Sequence, residues 1–276
     1  MDAEPLVRLY EDPDLLSEPL PAELARFYGG ELSFSEPCLY ANFVSSLDGV
    51  VALGPEFPSS GSTISGHAPA DRFTMGLLRA CAHAVLIGAG TLRASADHRW
   101  VPEHVYPAAA DAFSALRQAR RLPTRPELVV VTARGDLPAD HPALQSGALI
   151  ATTANGAAEL RGRVPAACTV MELGAGESVD FAALIQILRE RGHTTILSEA
   201  GPHLLAQLIG AWLLDELFLT VSPVLAGRDR IPREGLVAGL ELLPKYREQA
   251  ELISVRQQAS LLFLRYRFRG RPIDTA

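Results

Sequence analysis

Four short stretches of this chain place chemically capable residues at spacings that suit ligand binding or catalysis. In Ser198-Glu199-Ala200-Gly201-Pro202-His203, a carboxylate precedes a Gly-Pro pair and follows the apolar run TTILS. Proline suits the first position of a helix, so the pattern predicts strand, turn, helix, with Glu199 at the strand tip. A helix start presents unpaired N–H groups and the positive end of the helix dipole, and both attract anions. Gly201, Pro202, His203, Leu204 and Leu205 are therefore candidates for holding a diphosphate. The plainer role for Glu199 is a helix-start cap or a surface acid.

The other three stretches are weaker when taken singly. Gly88-Ala89-Gly90-Thr91 follows the apolar run AVLIG, and glycines at the end of a strand let a phosphate approach the backbone. As a dinucleotide fingerprint it is incomplete, because Arg93 stands where the third glycine belongs and no clear helix is predicted next. Thr132-Ala133-Arg134-Gly135 ends another apolar run. A hydroxyl and a guanidinium there suit a ribose 2′-phosphate, since arginine binds phosphate bidentately. Ser45-Ser46-Leu47-Asp48-Gly49 reads most simply as an Asp-Gly turn. The seven histidines show no metal-ligand spacing, and no metal is expected. The G-x-S-x-G and P-loop patterns are both absent.

These stretches need a scaffold, and the periodicity supplies one. Cys38 to Leu53 reads as a strand that turns at Asp48-Gly49 and resumes. Strands are also predicted at Ala82–Gly88, Glu127–Ala133, Ala148–Thr153, Thr169–Leu173, Thr194–Ser198 and Leu217–Leu225. Helical stripes run over Ala70–Cys81 and Ala108–Arg121. Asn155 is a plausible cap for a short helix and Asp180 for a longer one, which Gly192 stops. A further helix opens at Pro202, with Leu205, Leu208, Ile209 and Trp212 inward. Near the end, Leu252–Val255 and Leu261–Phe268 read as an antiparallel pair. In the second of these, Leu262, Leu264, Tyr266 and Phe268 face one side, against Arg265, Arg267 and Arg269. This β-α rhythm, with continuous apolar strands, predicts an α/β fold with a mostly parallel sheet. Residues 1–37, rich in proline and acid, read as a loosely packed N-terminal arm before a domain over 38–276. Gly227 to Lys245 lacks periodicity and reads as a surface excursion.

Bulk properties narrow the function. The 276 residues are 48% hydrophobic and 21% charged, enough for a large core and unlike a disordered chain. A net charge of −7 without a basic stripe argues against a nucleic-acid surface. Three scattered cysteines suggest neither a disulfide framework nor a zinc site. No apolar run approaches the ~18 residues of a membrane span, and the opening residues lack a signal-peptide pattern, so a cytoplasmic location is expected.

Taken in order, the motifs resemble one family: the reductase domain of the bifunctional riboflavin-biosynthesis enzyme, with its stand-alone pyrimidine-reductase relatives. The matching segments are ANFVSSLDG at 41–49, Asp71-Arg72…Leu78-Arg79, AVLIGAGTLR at 84–93, VVVT at 129–132, ILSEAGPHLL at 196–205 and LDELFLTVSPVLAG at 214–227. The resemblance implies a dihydrofolate-reductase-like three-layer fold with a mixed central sheet. It implies NADPH-dependent reduction of 5-amino-6-(5-phosphoribosylamino)uracil to its ribitylamino form. Ser45, Ser62, Thr63, Gly90, Thr91, Thr132, Arg134 and the Gly201–Leu205 helix start would hold NADPH. Glu199 and Arg79 match substrate-contacting positions, and Arg79 suits a ribose phosphate. Arg72 and Asp48 match polar positions at the cleft, Arg72 with the substrate and Asp48 alongside Glu199 as a catalytic acid. A homodimer is implied as well.

Departures from the pattern leave alternatives open. The family's usual run after G-x-G-T is replaced by Ala94-Ser95-Ala96-Asp97-His98-Arg99-Trp100, and Val50 stands at an often basic position. The zinc deaminase signature is absent, so reduction alone is expected. A related reductase acting on a dihydropterin, a non-catalytic NADPH-binding protein and a Rossmann dehydrogenase are the rivals.

Overall fold

The apolar runs become strands and the helical stripes become helices, in the predicted order. The computed structural model describes residues 4–15, 18–54, 56–57, 59–174, 176–229, 232–244 and 250–268. In chain order the elements are β1 (Val7–Glu11), α1 (Ala22–Tyr28), β2 (Cys38–Ser45), α2 (Ser60–Ser65), α3 (Pro69–Cys81), β3 (Ala84–Gly88), α4 (Ala89–Arg93), α5 (Pro102–Val105), α6 (Ala110–Ala119), β4 (Glu127–Thr132) and α7 (Pro142–Gln145). They continue with β5 (Leu149–Thr152), α8 (Ala154–Leu160), β6 (Thr169–Glu172), α9 (Phe181–Glu190), β7 (Thr195–Ser198), α10 (Pro202–Gly210), β8 (Glu216–Val221), β9 (Ala250–Gln258) and β10 (Leu261–Phe268). The chain divides into two units, Met1–Thr74 with Pro202–Ala276, and Met75–Gly201. The fold is mixed α/β, mostly parallel, with an antiparallel carboxyl-terminal strand pair, as the sequence leads one to expect.

The second unit is an all-parallel array in the order β7-β3-β4-β5-β6. Val85, Leu86, Ile87, Val129, Val130, Leu149 and Ile150 are buried without alternation, as strands covered on both faces must be. Gly76 lets α6 sit close to α3, because a Cβ there would lie 2.8 Å from the Phe113 ring. Arg117 of α6 then donates through Nη1 to the carbonyls of Arg79, Ala80 and Ala82. The Arg79 carbonyl also accepts from Ala82 N at 3.2 Å, so Arg117 and the backbone together fix the turn at the end of α3, where Arg79 stands.

At the amino edge of this array, Glu127 accepts from Arg191 Nη2 at 2.7 Å and pairs with His193 Nε2 at 2.6 Å. The hydrogen bond from His193, more than the charge of Arg191, holds its carboxyl below the usual range, against the opposing effect of partial burial. A carboxyl lowered by folding adds stability above its unfolded value, about pH 4.3, and loses it as pH falls below that. The urea midpoint of wild type should therefore fall between pH 5 and pH 3 more steeply than that of Glu127→Gln. Parallel slopes would remove Glu127 as the cause.

The first unit runs β1-β9-β10-β8-β2, antiparallel except for the parallel β8-β2 pair. The residues expected to form a loose arm are instead built in. β1 pairs with β9, and Leu6, Leu24, Phe27 and Leu32 are buried. Proline and acidic content disguised a short edge strand and a two-turn helix. Several finer expectations also change. β2 ends at Ser45, and the resumed strand reduces to one bridge, Ala52 with Glu234. The strand expected over Leu217–Leu225 stops at Val221. Trp212 lies beyond α10 at φ +56° and is 36% exposed. The buried face of β10 is Leu261, Phe263 and Arg265, not its even-numbered residues, because Arg265 is ion-paired inside. Arg269 lies outside the described residues.

Candidate active site

In the second unit the parallel strands β7, β3, β4 and β5 all end along one edge. Leu86 is opposite Ser198, Gly88 opposite Val131, and Thr132 opposite Thr152. This register sets Glu199, Gly88–Thr91, Thr132–Gly135 and Thr153 side by side at the carboxyl edge, where α/β sheets bind ligands. β3 passes directly into α4, a five-residue helix where the sequence predicts none. A Cβ at Gly90, or at Gly201, would meet nothing within 4 Å. The backbone is open at both glycines, which fits the close approach of a dinucleotide's phosphates.

Glu199 is the most tightly defined side chain on this edge. Its N–H donates to the carbonyl of Leu86 at 2.9 Å, extending the ladder by one residue. Its carboxylate, 8% exposed, receives Arg79 Nε at 2.9 Å on Oε1 and Nη2 at 2.6 Å on Oε2. Two parallel charge-assisted bonds of this kind compensate burial and fix the plane of the acid. Arg79, 1% exposed, also donates to the carbonyls of Arg99 and Val101 and meets His98 Nε2 at 2.9 Å. These contacts turn the guanidinium inward. Arg79 holds Glu199 rather than presenting itself to a phosphate, which revises its expected direct contact.

Sequence reasoning missed the residues that surround Arg79. The ring of His98 sits edge-on to Trp100 at 5.0 Å and to His104 at 4.8 Å, and Trp100 packs 5.9 Å from His141. Nδ1 of His141 accepts from Ala143 N, and Nε2 faces the Ser95 carbonyl. The stretch 94–100, noted only as a departure from the family pattern, is thus the wall around the ion pair. Its one sequence signal is a His and a Trp two residues apart where a loop is expected.

The loop after β4 is pinned. Thr132 Oγ1 accepts from Gly135 N, and Thr153 Oγ1 donates to the Ala133 carbonyl while capping α8 through Gly156 N. Thr153, not Asn155, is therefore the helix cap. Arg134 remains exposed. A Cβ at Gly156 would stand 2.0 Å from Thr152 Oγ1 and 2.8 Å from the Ala133 carbonyl. Gly156→Ala should cost about 1–3 kcal/mol through forced displacement of this loop, read as a lowered urea midpoint. An unchanged midpoint would show that the loop yields freely.

The first unit carries the other expected residues. Ser45 is buried at the end of β2, Ser62 and Thr63 lie exposed on α2, and Arg72 is exposed on α3. Pro202, Leu204 and Leu205 bury their side chains, which leaves backbone amides as what this turn can offer a ligand. His203 is exposed and pairs with Glu234 Oε1 at 2.7 Å; Glu234, in the aperiodic excursion, was not anticipated. Asp48 differs from its expected role as a catalytic acid. Its carboxylate accepts from the Ser46 hydroxyl and from the amides of Ala226 and Gly227. These donors, Ser46 foremost, hold it far below the usual carboxylate range, so it stays ionised and clamps two loops together.

A family model described as the RibD C-terminal domain matches residues 37–249. Comparison with curated protein sequences gives no match. Among solved structures the chain is similar to RibD from Acinetobacter baumannii, at 20% identity and a TM-score of 0.64, covering 89% of this chain and 60% of that one. It therefore spans less than two thirds of that protein. It is also similar to a pyrimidine reductase-like protein from Corynebacterium diphtheriae, at 20% identity and a TM-score of 0.63, covering 85% and 93% of the two chains. The riboflavin biosynthesis reductase Rib7 of Saccharomyces cerevisiae aligns at 15% identity and a TM-score of 0.55, covering 90% of this chain and 98% of its own. Among the described residues no helix is long and apolar enough to cross a membrane.

Proposed function

Since this chain belongs to the RibD C-terminal domain family, we propose that it is a riboflavin-pathway pyrimidine reductase. In this reading it reduces 5-amino-6-(5-phosphoribosylamino)uracil to the ribitylamino form with NADPH. The observation that carries the reading is the buried Arg79–Glu199 pair at the carboxyl edge of a parallel array, flanked by open glycine backbone. NADPH, when bound, supplies the hydride. The open amides around Gly90 and at Gly201, with Thr91, Thr132 and Arg134, are assigned to the dinucleotide. Ser45, Ser62, Thr63 and the turn from Pro202 to Leu205 are kept for it from the family resemblance. Glu199, oriented by Arg79, accepts hydrogen bonds from the substrate and relays a proton. Positioning supplies most of the rate. Arg72 is kept as a substrate contact. A cytoplasmic homodimer completes the proposal; light scattering should give twice the chain mass.

The test is a substrate panel with NADPH, the product being identified by chromatography. Formation of the ribitylamino product is expected. Turnover of dihydrofolate but not of the ribosylaminouracil phosphate would move the chain to a related pterin reductase. NADPH binding without consumption by any pyrimidine or pterin would leave a nucleotide-binding protein. The altered wall at 94–100 is the feature that favours a changed substrate, if one is found.

A further inference from the structure

We propose that the first unit binds one internal water molecule as a structural ligand, bridging the hydroxyls of Thr220 and Ser254 over the sheet. The site is independent of the reductase reading above. Cross-strand register builds it. Ser254, Arg265, Phe218 and Asn42 stand opposite one another across β9, β10, β8 and β2. Two residues along these strands, Arg256, Phe263 and Thr220 form a second row. Side chains two apart on a strand, or directly opposite between strands, share one face of a sheet. Both rows therefore project the same way, and with Tyr28 of α1 and Thr74 of α3 they line one cavity.

The space open to the centre of a water molecule there is about 10 Å³, which is room for one. Thr220 and Ser254 are 2% and 1% exposed, and neither hydroxyl bonds to another of the described residues. The same holds for the half-buried amide of Asn42. The Thr74 hydroxyl already donates to the Ala70 carbonyl. Buried hydroxyls left without partners are costly, and an internal water is held by about two to four such groups. Charge balance decides against an anion. Arg256 bonds Glu11, and Arg265 bonds Glu216. Each cation has its carboxylate, so a bound anion would be a buried charge without a counterpart. Water is neutral, and it both donates to and accepts from hydroxyls.

Two experiments test this on the full chain. A high-resolution crystal structure should show one solvent peak in the cavity, about 2.7–3.2 Å from the oxygens of Thr220 and Ser254. A cavity free of density, or an anomalous peak there after a bromide soak, overturns the proposal. In solution, Thr220→Val keeps the shape of the side chain and removes the hydroxyl. It should lower the urea midpoint, as should Ser254→Ala, because each takes a partner from the water. In a dry cavity the valine change only removes an unpartnered hydroxyl, so an unchanged or raised midpoint for Thr220→Val overturns the proposal. The double variant should lose less than the sum of the two single shifts, since both hydroxyls depend on one water. Fully additive shifts overturn the bridge.

Discussion

Arg79→Met should destabilise the protein by about 3–5 kcal/mol and abolish measurable reductase turnover. The reason is the state in which it leaves Glu199. That carboxylate is 8% exposed and receives two bonds from the guanidinium. Without Arg79 it must stay charged in a desolvated place, take up a proton, or pull the loop after β7 outward. Each of these costs more than the pair itself contributes. Glu199→Gln is milder in stability, since the amide carbonyl still accepts from Arg79, yet it should lose turnover as fully. Combining Arg79→Met with Glu199→Gln should recover a good part of the stability and none of the activity. Urea unfolding of the three variants measures the first expectation, and NADPH oxidation the second. A midpoint for Arg79→Met within error of wild type would mean that Glu199 is solvated, and the site geometry described above would fall.

The other large effect belongs to the first unit. Arg265 and Glu216 are each 2% exposed, and Arg265 reaches Glu216 Oε2 through Nε at 2.8 Å and Nη2 at 2.6 Å. Nη2 also donates to the Ser33 carbonyl, and the guanidinium lies about 5 Å from the rings of Phe34 and Phe218. Burial, the foremost influence, pushes the Glu216 carboxyl up, while Arg265 and then Arg267 pull it down. Arg265→Leu removes the strongest of the downward pulls and should cost about 3–5 kcal/mol near neutral pH. The sign with pH follows from linkage. A carboxyl raised by folding contributes most below its unfolded value and loses that contribution as pH rises through the folded one. The defect in Arg265→Leu should therefore shrink as the pH is lowered towards 5. Replacing both partners by apolar residues, Glu216→Leu with Arg265→Met, should cost far less than either single change. Chemical denaturation at two pH values distinguishes these outcomes, and a defect that grows in acid would refute the argument.

Much of this molecule was legible in one dimension because the responsible forces are local. The strand AVLIG and the stripe of α3 follow from apolar periodicity, and the helix of Phe181 follows from Asp180, whose side chain accepts from Ala183 N. Glu199 was legible as a carboxylate between a strand and a helix-opening proline. Errors fell where a local rule met a distant partner. Arg265 looked outward because charged residues usually do, and it is inward because Glu216, 49 residues earlier in the chain, is there. Asp48 reads as a turn residue, or by the resemblance a catalytic one, and its amide donors come from residues about 180 positions later.

The order of residues alone therefore determined which segments are strands and helices, the parallel character of the second unit, and the strand ends able to meet a ligand. Hydrophobic spacing and helix-start chemistry act within a few residues and need no knowledge of the rest. The tertiary structure alone decided which charges would be buried and what each polar side chain holds. Burying an ion is tolerable only when a partner arrives from elsewhere in the chain. Arg79 had to find Glu199 before either had a definable task.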